Sequence, residues 1–437
     1  MAGRLRRNEA ALEDRISQLP VDVMDRVLEF LDTRSAARSA LLSTRWKDVW
    51  LSHGRLFFDW EFNESLVKKS GEPSASFGNM ITNILSLRFG PVKKFGLHLR
   101  KHYPIPLQSD IDRWCLFLSR NGVEELTLRL YSRGNEQYHL PLCIVSCPTI
   151  KKLELHDLVI DFPVKAPQGS IFSGVKSASF SFINFDHNAS GIMYCIPNLE
   201  KVFFTYCIGN NFLINAPKLK TVEVLHTFSD VTKWKWLAHH LPMIKTLCLS
   251  TYYDLGGSDY AAVGAANWQE MFPTVINLEK IQLTLAFTEH WDFVVHLIKK
   301  CPKLCELGIQ FPQIIPQAEK EAASGSSKDP ECGFTDQDLG MLKTLKMESF
   351  LASRQEVLFV KAILSNSPVL EKLVIMESFF IDASVASEIP RQVLCFPRAS
   401  PKAQVIFLKN KYTRPATTKA PTVPPPTDCP AANNLIN

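Results

Sequence analysis

The chain has 437 residues, 46% hydrophobic and 21% charged, so it is long enough to bury an extended core and too apolar to stay unfolded. Its formal net charge of +5 is small for that length, and residues 1–50 set nine Lys/Arg against eight Asp/Glu, which excludes the basic arm that would make nucleic acid the leading partner. No apolar run approaches the length of a membrane helix and "MAGRLRRNEAALEDRI" has arginines without an apolar stretch, so neither a membrane span nor a secretory leader is expected, and an intracellular address, nucleus or cytosol, follows. The eleven cysteines sit among apolar neighbours, as in "LCLS" and "SCPTI", and read as reduced, buried small hydrophobes.

Residues 1–13 read as a flexible N-terminus, and residues 14–52 as three short helices. Pro20 can open the first, in which Val23, Met24, Val27, Leu28 and Leu31 form one wide apolar stripe. Asp32 or Thr33 can cap a second helix with a close-packing face of Ala36, Ala37, Ala40 and Leu41. Ser43 or Thr44 can cap a third carrying Trp46 and Trp50 one turn apart. So short a unit needs something else to cover its apolar faces.

The stretch "LPVDVMDRVLEFLDTRSAARSALLSTRWKDVW" resembles an F-box of the plant type, with Val21 where a turn residue is common and Asp32 where proline is usual. The resemblance implies docking on a Skp-type adaptor and, through it, on a cullin-based ubiquitin ligase. By position it assigns adaptor binding or F-box packing to Leu19, Pro20, Val23, Val27, Leu28, Leu31, Leu42, Ser43, Trp46 and Trp50. Each tryptophan, taken alone, reads first as an internal packing residue.

Beyond this unit a short phrase recurs, in which a Pro or Gly is followed two, five and seven positions later by apolar residues. "CPTIKKLEL", "IPNLEKVFF", "APKLKTVEV", "LPMIKTLCL", "CPKLCELGI" and "SPVLEKLVI" are the clearest copies. With weaker ones that lack the proline there are eleven, whose proline-equivalent positions are 90, 121, 148, 173, 197, 217, 242, 276, 302, 340 and 368. Each L-x-L alternation predicts a short strand with one buried face, and stacked copies predict a parallel sheet that no single copy could stabilise. Helical stripes lie between some copies, at Ile111, Trp114 and Leu118, at Val231, Trp234 and Leu241, and at Trp291, Val294, Val295 and Ile298. From about 148 to 225 the spacers are short and read as loops or 3₁₀ turns. The pattern resembles an irregular leucine-rich repeat over residues 53–340, whose consensus Asn/Cys is matched at Cys207 and mostly missing elsewhere. The fold class expected is α/β: a three-helix F-box, then an irregular leucine-rich-repeat solenoid of parallel strands with helices or loops, closed by a C-terminal cap.

Residues 317–333 lack apolar periodicity and read as a mobile loop. Ser353 with Glu356 then makes a capping box for a helix whose stripe is Val357, Val360, Ile363 and Leu364 and which Pro368 halts. Residues 341–410, with "LCFPRASPKAQVIF", resemble the FBD region of plant F-box proteins, read physically as a cap on the repeat stack. The Pro/Thr-rich tail, residues 411–437, is expected to be disordered.

Signatures of catalysis are absent: there is no phosphate loop, H-E-x-x-H or G-x-S-x-G. Cys143 with Cys147 and Cys301 with Cys305 lack a second pair at zinc-site spacing, and no metal or cofactor is expected. His239 and His240 read as water-facing residues at a helix end, and "LGGSDY" as a loop. Function must then lie in a surface. The outward alternates Arg129, Tyr131, Glu154, His156, Phe203, Thr205, Glu223, Cys248, Ser250, Gln282 and Thr284 mix aromatic, charged and hydroxyl groups that suit a protein target. The resemblance thus implies a non-catalytic specificity subunit of an SCF-type ligase, acting by proximity. A receptor that needs a small molecule, or a scaffold that does not promote degradation, are the alternatives.

Overall fold

The computed structural model describes residues 15–62, 64, 74–99, 106–131, 137–162, 170–185, 193–207, 213–225, 237, 240–250, 277–284, 291–310, 333–335, 337–379, 381 and 383–409. The N-terminal segment, the tail, "LGGSDY", Val231, Trp234, His239 and nearly all of the 317–333 loop lie outside them.

Three helices come first: α1 (Val21–Glu29), α2 (Thr33–Ser39) and α3 (Thr44–Ser52). Asp32 caps α2 by accepting from Ser35 N at 2.9 Å, and Ser43 caps α3 by accepting from Trp46 N at 3.3 Å. Strand β1 (Arg55–Phe58), helix α4 (Ser74–Ser86), β2 (Lys94–His98), helix α5 (Gln108–Arg120) and β3 (Glu125–Arg129) follow. The middle of the chain holds β4 (Tyr138–His139), helix α6 (Leu142–Val145), β5 (Lys152–His156), β6 (Leu158–Ile160), β7 (Ser177–Ser181), β8 (Asn184–Phe185), β9 (Met193–Cys195), β10 (Lys201–Thr205), β11 (Leu213–Asn215) and β12 (Thr221–Leu225). Then come β13 (Thr246–Ser250), β14 (Lys280–Thr284), helix α7 (Trp291–Lys299), β15 (Glu306–Gln310), β16 (Thr344–Phe350), helix α8 (Arg354–Asn366), β17 (Lys372–Glu377), helix α9 (Ala383–Leu394) and β18 (Gln404–Leu408).

Every one of the eleven phrases becomes a strand of one large sheet, starting four residues after the phrase begins. The sheet has thirteen strands, all parallel pairs, in the order β1-β2-β3-β5-β7-β10-β12-β13-β14-β15-β16-β17-β18. Its two end strands, β1 and β18, carry no copy of the phrase. The register sets like on like: Leu126, Leu153, Ala178, Val202, Val222 and Leu247 form one buried row across six neighbouring strands. The phrase's first apolar residue, as at Ile150, Leu199, Leu219 and Ile244, is buried beneath them.

Backbone polarity locks the repeats together. The carbonyl just before a strand accepts two N–H groups from the next repeat: Glu124 O from Lys151 and Lys152 (2.7 and 3.0 Å), Lys151 O from Lys176 and Ser177 (2.8 and 3.1 Å), Glu200 O from Lys220 and Thr221 (2.8 and 3.0 Å). The same fork recurs at Lys245, Glu279, Cys305 and Lys343. At the far end of a strand the chain turns off the sheet through a left-handed residue, Asp157 (φ 60°), Phe182 (φ 54°) or Tyr206 (φ 51°).

Two expectations are corrected. The spacers between 148 and 225 hold the short strands β6, β8, β9 and β11 rather than only loops or 3₁₀ turns; behind the main sheet β9 pairs with β11, and β6 and β8 join β4 of the preceding spacer. They form because aromatic residues there, Phe162, Phe185 and Tyr194, pack against one another and against Phe180 and Phe204. His240 does not face water: it is buried, and its Nε2 accepts from Ala216 N at 3.0 Å. Cys207, at the consensus position, gives its thiol to Phe180 O of the preceding repeat at 3.3 Å, and burial pushes its pKa up to about 11.

The C-terminal elements close on the sheet through the "FPRAS" stretch. Ala399 N donates to Leu364 O at the end of α8 (2.9 Å), Ser400 Oγ to Leu370 O ahead of β17 (2.7 Å), and Arg398 to Ala403 O ahead of β18 (3.1 Å). Ser353 and Glu356 make the capping box of α8, the carboxylate accepting from Ser353 N at 2.7 Å and Leu351 N at 3.3 Å. Glu356 is buried, and desolvation outweighs those two donors, lifting its pKa from 4.5 to about 7.

Two predictions follow from this packing. Because the folded state holds the Glu356 proton more tightly than the unfolded chain, its contribution is fully present below pH 4.5 and lost as pH rises through about 7. The melting temperature of wild type should therefore fall over that window relative to Glu356→Gln, as thermal denaturation at several pH values would show. At Gly174 a Cβ would lie 2.0 Å from Pro148 O, a backbone atom that cannot swing aside, whereas at Gly122 (φ +73°) it would meet nothing within 4 Å. Gly122→Ala should cost about 1 kcal/mol of conformational strain, and Gly174→Ala more than that, read as the difference in urea midpoints.

Candidate functional site

The three N-terminal helices have two faces. Inward, Met24, Leu28, Ala36, Trp46, Val49 and Trp50 join the continuous core that includes Leu56, Phe58 and Phe95 of the first strands. Arg88 clamps this contact: its guanidinium lies 4.2 Å over the Trp50 ring and donates to the carbonyls of Trp50 and, at 3.2 Å, His53. Burial lowers the Arg88 pKa to about 10, which still leaves it cationic. Thr33 adds a reciprocal pair, its Oγ1 donating to Phe57 O at 2.6 Å and accepting from Phe57 N at 2.8 Å. His53, buried, meets Asp25 at 2.6 Å.

Outward, the same helices leave large apolar side chains uncovered. Phe30 and Leu41 are each 86% exposed, Leu42 61%, Val27 40% and Val23 38%, with Ile16 and Val21 also exposed. An apolar groove of about 240 Å³ opens beside them, lined by Ala37, Leu41, Phe62, Met80 and Ile84 and rimmed by Arg34 and Arg38.

On the main sheet, the outward side chains fall in registered rows. The middle row runs Thr127, Glu154, Ser179, Phe203, Glu223, Cys248, Gln282 and the next runs Arg129, His156, Ser181, Thr205, Leu225, Ser250, Thr284. Ten of the eleven outward alternates therefore stand on one face in two rows, and Tyr131 adjoins His156 with ring centroids 5.0 Å apart. Most are half-buried against neighbouring strands; Ser250 is fully buried and Arg129 exposed. Burial, helped by Arg129 nearby, lowers the His98 pKa to about 4, and burial lowers that of His156 as well, so both rings are neutral at pH 7. Among the described residues no group of three or more His, Cys, Asp or Glu is placed to hold a metal ion; Cys301 is buried and Cys147 Sγ lies 3.3 Å from Thr149 Oγ1.

Residues 16–58 match the family model of the F-box domain. The chain carries an F-box domain. Along its length it is similar to F-box/FBD/LRR-repeat protein At1g13570 of Arabidopsis thaliana, with 28% identity covering 91% of this chain and 99% of that one. F-box/FBD/LRR-repeat protein At5g56420 of the same plant is 22% identical over 90% and 99% of the two chains, and F-box/LRR-repeat protein At3g03360 is 24% identical over 83% and 70%.

The geometry separates what the F-box motif had merged. Leu28, Trp46 and Trp50 point into the chain's own core, Leu19 and Leu31 are half-buried against it, and Ser43 is spent on the α3 cap and on the Ser17 hydroxyl at 2.9 Å. Pro20, Val23, Val27 and Leu42 are exposed. Leu41 is corrected: it does not pack with Ala36, because α2 ends at Ser39 and the helical projection that grouped them no longer holds. Ile16, Val21, Phe30 and Leu41 are further exposed apolar residues of this face that the motif does not assign. Phe30 is legible as one, since seven residues make almost two full turns and set it within about 20° of Val23, at the edge of the stripe. Helix α4, whose Met80 and Ile84 line the groove, carries no part of the repeated phrase.

Stability should therefore divide the F-box in two. Trp46→Ala is expected to cost about 3–5 kcal/mol, whereas Val23→Glu should change stability by no more than about 0.5 kcal/mol, both measured by denaturant unfolding.

Proposed function

We propose that this chain is the target-binding subunit of an SCF-type ubiquitin ligase, with the outer face of its F-box on a Skp-type adaptor and the outward face of its repeat sheet toward a target protein. F-box domains bind Skp-type adaptors, and the observation that carries the reading is the two-faced F-box. One face is anchored to the first strands through Trp50 and Arg88, and the other presents Val23, Val27, Phe30, Leu41 and Leu42 to solvent. An apolar face of this kind marks a docking surface. Residues 53–340 would form the target-reading repeats and residues 341–410 the cap that shields the end of the stack. The chain would supply geometry rather than an acid, base or nucleophile: fixing target and ubiquitin donor in one assembly replaces a bimolecular encounter by an intramolecular one. No described helix is long and apolar enough to cross a membrane.

The test is co-purification of tagged full-length chain with a Skp-type adaptor, comparing wild type with Val23→Glu/Val27→Glu. Wild type should recover adaptor and the variant should lose it with an unchanged melting curve. Folded wild type that recovers none would sink the proposal.

A further inference from the structure

One carboxylate on the repeat face stands out by what surrounds it. Among the strand glutamates from β3 to β16, Glu125 reaches Lys94 at 3.1 Å, Glu154 reaches Lys152 at 2.7 Å and Arg129 at 3.4 Å, Glu306 reaches Lys280 at 2.8 Å, and Glu348 pairs with Lys346. Glu223 has no cation against it among the described residues. In register it lies between Phe203 of β10 and Cys248 of β13, and it is half-buried there. Burial alone raises its pKa. A half-desolvated carboxylate facing outward costs stability unless a partner from outside pairs with it.

Beside it runs a ridge of rings. Tyr131, His156, Phe182 and Tyr206 follow one another at centroid distances of 5.0, 5.1 and 4.8 Å, the last pair stacked at 20°. Phe182 and Tyr206 occupy the left-handed turn that ends β7 and β10, a conformation that costs a bulky residue about 1 kcal/mol or more. Their N–H groups are held by Thr205 O (2.8 Å) and Leu225 O (3.4 Å) of the next repeat, so the stack is built into the repeat geometry, and Phe182 remains 44% exposed. Leu225 is two residues beyond Glu223 on the same face of β12, about 7 Å along the strand. The carboxylate and the ring pair thus border one patch. Arg129 lies at the opposite end of the ridge, near Tyr131, so it does not compete for this patch. Rings attract cations through their π faces and a carboxylate attracts them directly.

We propose that a target segment seats an arginine or lysine between Glu223 and the Phe182–Tyr206 ring pair, with an apolar neighbour on Phe203. This deepens the preceding proposal and rests on its reading of the repeat face as the target surface. The occupant is a basic linear segment of a protein; the complementarity is of charge with charge and of cation with ring.

The experiment selects peptides from a random 12-residue phage-displayed library on the full-length chain bound to its adaptor, using wild type, Glu223→Lys and Phe182→Ala/Tyr206→Ala. Wild type should select a fixed Arg or Lys next to an apolar residue, and Glu223→Lys should replace that basic position by Asp or Glu. The ring variant should lose the neighbouring preference. A synthetic wild-type consensus peptide should bind Glu223→Gln, checked for an unchanged melting curve, about tenfold more weakly. A consensus without a basic position, or one indifferent to Glu223→Lys, overturns the inference. If such peptides respond instead to Gln282→Ala or Thr284→Ala, the repeat face is still the target surface and only this subsite is wrong. No consensus at all from an adaptor-bound chain overturns both.

Discussion

The backbone fork ahead of the main-sheet strands from β2 to β16 is the constraint on which the rest of the molecule depends. One carbonyl takes two N–H groups from the following repeat, at Glu124, Lys151, Lys176, Glu200, Lys220 and onward, so each repeat is satisfied only when its neighbour is in register. Buried backbone groups must be paired, and here the partners are always in the adjacent copy. Spacer length can then vary freely, because the fork fixes the strand however long the chain takes to return.

That freedom explains the two sides of the solenoid. On the outward side every strand presents the same positions, so Phe203, Glu223, Cys248 and Gln282 align whatever their spacers contain. Behind the sheet the spacers differ: α5 backs the early strands, short strands with stacked phenylalanines back the middle, and α7 and α8 back the last ones, where Trp291 meets Phe359 at 4.6 Å. A surface with constant backbone and variable side chains is well suited to selecting one partner among many.

The F-box is tied into this system at its first strand. Trp50, Arg88, Thr33 and Phe57 join α2 and α3 to β1, so the outer face of the F-box is held in a set orientation to the outward face of the repeats. The proposed role by proximity requires that fixed relation as much as either surface. Glu223, with no cation against it among the described residues, and the left-handed turns at Phe182 and Tyr206 depart from the pattern around them, and such departures from local economy tend to mark where a protein meets something else.

What was legible in the sequence was whatever repeats. The phrase with apolar residues at two, five and seven positions announced eleven strands and their buried rows, since side-chain alternation in a strand is dictated by backbone geometry alone. Strands β1 and β18 escaped because a single unrepeated "RLFF" or "QVIFL" has no second copy to compare with. The caps at Asp32, Ser43 and Ser353 could be read because they depend on residues three positions apart. Which side of the F-box is covered could not. Helical periodicity gives angles around an axis, and Val23, Met24, Val27 and Leu28 share one wide stripe; only the packing of Trp50 and Leu56 decides that Met24 and Leu28 turn inward while Val23 and Val27 face out. Likewise the sequence placed Glu223 and Tyr206 seventeen residues apart without relating them. What brings Tyr206 to β12 is the parallel register of β10 and β12, with Tyr206 N on Leu225 O, a long-range fact set by hydrogen bonds between repeats and not by any local preference of the chain.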